Sequence, residues 1–122
     1  MDAVRGFITL GDQAAPAFPS LEALMDGTNQ TIVLYAMVSA LGTGTNAIPV
    51  LSKGLTNMFP EVRSEAAHNL TEAVAVRFPQ CRKEIIPLLV KLLNDPDSDV
   101  RRNVRGDIQE IDPAAAAKLG IK

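Results

Sequence analysis

Few side chains in this 122-residue chain have the type and spacing to do chemistry. His68 is the single histidine and lies six residues after Val62, off the apolar stripe of its segment. It has no second histidine, nearby cysteine or carboxylate at ligand spacing, so the pattern predicts no metal site and no cofactor. Cys81 is the single cysteine and opens a helix after Pro79 with Arg77, Arg82 and Lys83 close by. Such a setting can activate a thiol, but no base partners it, so a structural role is the expectation. Gly42-Thr43-Gly44 follows a helix rather than a strand, which removes the phosphate-loop reading. The arginines are more informative. Arg101 and Arg105 share a helix face at a spacing of four, with Arg63 and Arg102 as further members of the set. Such a ridge either meets an anion or pairs with turn carboxylates such as Asp95 and Asp97. Acidic neighbours (Asp107, Glu110), a pI near 5.3 and the absence of Trp favour the carboxylate ladder over a nucleic-acid surface.

The bulk composition supports a folded domain. Hydrophobic residues make up 47% and charged residues 21%, enough to bury one core without metal or disulfide help. A lone cysteine excludes an internal disulfide and suits a reducing compartment. The N-terminus lacks a basic stretch leading into an apolar core. No apolar run is read as reaching the roughly 18–20 residues of a membrane span. The expectation is a cytoplasmic protein without membrane contact.

The elements that position these groups come in copies. Pro19, Pro49 and Pro87 are each followed two residues later by Leu21, Leu51 and Leu89, and six residues later by Met25, Leu55 and Leu93. A turn follows each: Asp26-Gly27, Asn57 to Pro60, and Asn94 to Pro96. Thirteen residues past the prolines stand Ile32, Val62 and Val100, then Ala36, Ala66 and Val104, then Ala40, Leu70 and Ile108. Both halves of each unit have helical periodicity, with breakers between them. Val62, Ala66, Leu70 and Ala73 form one stripe. In the first unit the second helix could be shifted by one. Pro60 and Pro96 suit a first helical turn, Asp97 and Asp99 suit a helix N-terminus, and Gly11 and Gly42 suit left-handed C-caps. Asp2 to Leu10 reads as the second helix of a hairpin without its first, and Asp112-Pro113 starts a closing helix.

Pro-x-Leu, a paired apolar end, an Asp/Pro turn, Val-Arg and an alanine four residues after the valine resemble HEAT repeats, in the short bacterial class sometimes called PBS-lyase-type. The likeness is strongest over Pro87 to Ile108, good over Pro49 to Val74 and loose in the first unit. It implies an all-α, right-handed α-solenoid of about three and a half hairpins. The units would be a half repeat (1–11), repeats 12–42, 43–79 and 80–111, and a C-terminal capping helix (112–122). Second helices would line a concave face. Stacking accords with physics, because one hairpin cannot bury its apolar face alone.

One absence points to function. From Gly27 to Pro60 the only charged residue is Lys53, whereas Glu61 to Lys122 holds ten acidic and ten basic residues. Ile32, Val33, Leu34, Tyr35, Met37 and Val38 cannot all face one side of a helix, so apolar area should remain outside the core. The expectation is a non-catalytic protein-interaction or assembly scaffold. Its candidate contacts are Tyr35, Met37, Val38 and Asn69, with Arg63, Arg102 and Arg105 as polar anchors. The partner would be a protein, or a second copy docking through the N-terminal half. Two alternatives remain at this point: an accessory subunit of an enzyme such as a bilin lyase, allowed by the resemblance, and a nucleic-acid-binding HEAT-like module.

Overall fold

The computed structural model describes residues 23–25 and 28–121, and within them every regular element is helical. Helix α1 spans Gln30–Ala40, α2 Ala47–Gly54, α3 Pro60–Asn69, α4 Arg82–Lys91, α5 Ser98–Ile111 and α6 Pro113–Lys118. Short 3-10 turns at Leu41–Asn46, Pro79–Cys81 and Leu92–Asn94 join or extend them. The expected half repeat at Asp2 to Leu10, the Gly11 cap, Pro19 and the Asp26-Gly27 turn lie outside the described residues.

Local chemistry accounts for the helix starts. The Asn29 side chain accepts the Ile32 N–H, and Asp97 Oδ1 accepts those of Asp99 and Val100. Asp112 Oδ1 accepts the Ala115 N–H at 2.9 Å, with Pro113 in the first helical position. Each of these carboxylates or amides satisfies a donor that has no partner inside its own helix.

The helices stack as the sequence repeat requires. Helices α1, α3 and α5 lie in a row with α3 central, while α2 packs between α1 and α3, and α4 packs on α5. The repeat copies converge on one core: Val62 and Val100, Ala66 and Val104, Leu70 and Ile108 are all fully buried. Each of the valine, leucine and isoleucine side chains contributes about 1.5–3 kcal/mol relative to exposure. In the first repeat Val33 replaces Ile32 as the buried residue, ahead of Ala36, Met37 and Ala40. Gly54 lets α2 approach α3, since a Cβ there would stand 2.8 Å from the Ala66 Cβ and 2.8 Å from the Met25 Cε. Gly54→Ala is expected to cost about 1 kcal/mol through overpacking, measured as a shift in the urea midpoint.

Several local expectations are corrected. After α1 the glycine with positive φ is Gly44 (φ 65°, ψ −130°), not Gly42, because the 3-10 segment carries the chain two residues further before it bends. Pro96 stands in the turn before α5, whose first residue is Ser98; Pro60 does open α3. Pro87 lies inside α4 instead of leading it, since the chain winds upstream from Pro79. The stripe of α3 changes phase where Leu70–Ala75 becomes π-helical, with Val76 N–H donating to the Thr71 carbonyl at 2.9 Å. Val74 and Ala75 are therefore buried and Ala73 only half-buried. Gln30–Gly54, 25 residues, is long and apolar enough to cross a membrane by length and composition. The glycine-threonine segment keeps that run helical, yet Gly44 bends it and its halves α1 and α2 pack on each other.

Candidate protein-binding surface

The repeat arginines resolve into a polar spine between units. Asn57 and Asp95 stand eight residues after Pro49 and Pro87, and both are 6% exposed. Each accepts the N–H two residues on, that of Phe59 or Asp97, at 2.9 Å. Six residues further, Arg63 and Arg101 each donate through Nη1 to the carbonyl of their own turn residue, Asn57 or Asp95. Arg63 also reaches the next unit, with Nε 2.7 Å from Asp95 Oδ2 and Nη2 3.0 Å from Oδ1. Asn57 Nδ2 donates to the Met25 carbonyl of the preceding unit at 2.8 Å. Burial pushes the Asp95 carboxyl up. The hydrogen bonds from Arg63 and the Asp97 N–H, with the Arg63 and Arg101 charges, outweigh it and hold the pKa below 3.8. Arg63 is thus consumed by structure, as a ladder predicts; the matching role of Asn57 was missed because an amide carries no charge signal.

On the face formed by α3 and α5, two contiguous grooves share Ser64, Glu65 and Asn103. The first, about 460 Å³, is lined by Gln30, Phe59, Pro60, Glu61, Asp97 and Asp99 beside the shared residues. The second, about 430 Å³, adds His68, Arg102, Gly106, Asp107 and Glu110. Gln30 Nε2 donates to Glu61 across α1 and α3. Arg102 is bound to Asp99 at 2.7 Å in an exposed i,i+3 pair.

Asp107 is the anomaly of this face. Its side chain is only 9% exposed, Oδ1 lies 3.6 Å from His68 Nδ1, and buried Oδ2 has no hydrogen-bond partner. Burial pushes the carboxyl up to about 6, against the opposing charge and hydrogen bond of His68 and with the Glu72 charge adding to it. Glu110 is also raised, chiefly by a hydrogen bond shared with the Glu72 carboxyl, then by burial and by the Glu72 and Asp107 charges. The π-helical segment carries Glu72, so a local change of helix type accompanies this carboxylate cluster. The sequence flagged His68 without a partner because Asp107 is 39 residues away and meets it only through stacking.

The predicted contact residues divide. Tyr35 (42% exposed) and Val38 (60%) face outward on α1, which carries no charge. Met37 is corrected: at 1% exposure it belongs to the core, on the buried stripe with Val33, Ala36 and Ala40. Asn69 is half-buried, while Arg102 and Arg105 are exposed on α5. Cys81 is buried at the start of α4. Among the described residues no group of three or more His, Cys, Asp and Glu side chains is arranged to hold a metal ion.

A family model described as HEAT repeats matches residues 48–119, well over half of the chain and both of its fully described hairpins. No curated protein and no solved structure gave a match. Such repeats mediate protein–protein interaction in general and form a fold that is generally a non-enzymatic scaffold. Stacked helical pairs, the repeated turn residues and the matched stretch agree, and the chain belongs to the HEAT-repeat family.

Proposed function

We propose that this chain is a non-catalytic protein-binding or assembly module whose contact surface is formed by α1, α3 and α5. The observation that carries the reading is the outward placement of Tyr35 and Val38 on a helix without charge, whose first residue, Gln30, lines a groove of α3 and α5. An apolar patch rimmed by polar residues is the anatomy of an interface. Ser64, His68 and Asp107 share one groove, yet no Ser64–His68 hydrogen bond forms; the Ser64 hydroxyl instead accepts from Asn103 at 3.4 Å. That disfavours nucleophilic catalysis, which needs the nucleophile and its base in contact. The carboxylates along the grooves also oppose a phosphate backbone, which weighs against the nucleic-acid alternative.

Sedimentation velocity and affinity capture with the full chain test this. The chain should sediment as a complex with a protein partner or with itself. Tyr35→Ala/Val38→Asp should sediment as a lone monomer with unchanged far-ultraviolet circular dichroism. A wild-type chain that stays monomeric at high concentration and retains no partner contradicts the reading.

A further inference from the structure

Resting on the protein-binding reading, we infer that the groove along α3 and α5 receives a lysine- or arginine-bearing amphipathic segment of the partner, with Asp107 and Glu65 among its acceptors. Six carboxylates line the two contiguous grooves: Glu61, Glu65, Asp97, Asp99, Asp107 and Glu110. Only Arg102 and His68 oppose them, and Arg102 is already bound to Asp99. Even with His68 protonated, six against two leaves a surplus of four negative charges on a protein whose net charge is only −2. The compensating cations therefore lie elsewhere: Arg63 in the inter-repeat spine, Arg82 on the Ala75 carbonyl, Arg77 over the Phe78 ring.

Charge surplus alone would describe a solvated face. The second observation is Asp107, a groove-lining residue whose buried carboxylate oxygen Oδ2 has no donor. An orphan acceptor costs free energy, and the cost is relieved when the carboxylate turns toward an incoming ammonium or guanidinium, whose charge-assisted hydrogen bonds are the strong ones. The close approach of Glu72, Asp107 and Glu110 adds mutual repulsion that a cation relieves. Phe59 and Pro60 give the other end of the groove an apolar shoulder, so the fitting segment alternates basic and apolar positions.

Titration of the isotope-labelled full chain with a helical Lys/Leu peptide, followed by amide chemical shifts, tests the assignment. The expected result is saturable shifts centred on Ser64, Glu65, His68, Asn103, Gly106 and Asp107. Glu65→Lys and Asp107→Asn should each weaken binding about tenfold or more, the scale of one lost charged contact. Glu84→Lys on α4, outside the groove lining, should leave the affinity within about twofold, since it touches only the long-range charge. Shifts spread evenly over all surface carboxylates, an equal response to a control Glu/Leu peptide of the same length, or no response would each overturn the inference. Should the Glu/Leu peptide or an uncharged Gln/Leu peptide bind through Tyr35 and Val38, the partner's chemistry is wrong while the binding-module reading stands.

Discussion

Arg63→Ala will lower the free energy of unfolding by about 3 kcal/mol at neutral pH, the range for stranding one member of a buried ion pair. The guanidinium holds Asp95 through two parallel hydrogen bonds, and the Asp95 side chain is only 4% exposed. Removing Arg63 leaves that carboxylate with the Asp97 N–H and the neighbouring Arg101 charge, and frees the Asn57 carbonyl as well. The loss depends on pH. Asp95 titrates below its ordinary 3.8 in the folded chain, so the pair's stabilisation is present above 3.8 and fades as pH falls through the depressed value. Chemical denaturation at pH 7 and pH 3 should therefore show a larger difference between variant and wild type at the first than at the second. Arg63→Ala/Asp95→Asn should recover part of the loss, because the neutral amide no longer strands a charge while its oxygen can still accept from Asp97 N–H. Equal losses at both pH values would mean that Arg63 acts only through its packing.

Asp107→Asn will do the opposite, raising stability at pH 7.5 by about 1–2 kcal/mol. A carboxyl raised from 3.8 to about 6 is charged at a cost in the folded state, at about 1.36 kcal/mol per unit of pKa, and relaxation around His68 takes up part of it. The stabilising effect of its protonation is full below 3.8 and lost as pH rises through about 6. Wild type should thus gain from this group between about pH 6 and 4, and Asp107→Asn should not show that gain. Glu110, raised partly by the Asp107 charge, contributes in the same direction and moves with the substitution, whereas Asp95 acts in the opposite direction at lower pH and cancels in the difference between the two proteins. A variant both more stable and poorer at holding a basic peptide is the signature of a residue kept for contact at the expense of the fold. A destabilised variant would assign Asp107 to structure.

The stacked hairpins were legible because their determinants recur in register. Proline-x-leucine and the turn mark each copy and Val-Arg marks the second and third, and Val62/Val100 and Ala66/Val104 meet in the core as the repeat requires. The carboxylate ladder was legible for the same reason, since Arg63 and Arg101 share a phase with turn acids. Tyr35 and Val38 could be placed outside the core because α1 has more large apolar residues than one face accommodates. Met37 was misplaced by that argument, which counts how many residues must face out without choosing which. The phase change at Leu70–Ala75 was hidden because a π turn has no residue signature, and with it went the meeting of Glu72, Asp107 and Glu110. The binding face was therefore expected to be anchored by Arg63, Arg102 and Arg105. In the structure Arg63 is half-buried and held in the spine, and the groove wall is predominantly acidic.

The central claim is that α1, α3 and α5 present the surface that meets another protein. Photocrosslinking measures this directly, with benzoylphenylalanine placed at Tyr35 in the full chain and, as control, at exposed Pro87 on α4. A discrete protein adduct from position 35 and none from position 87 is the predicted result. No adduct at 35, or the same adduct from both positions, contradicts it.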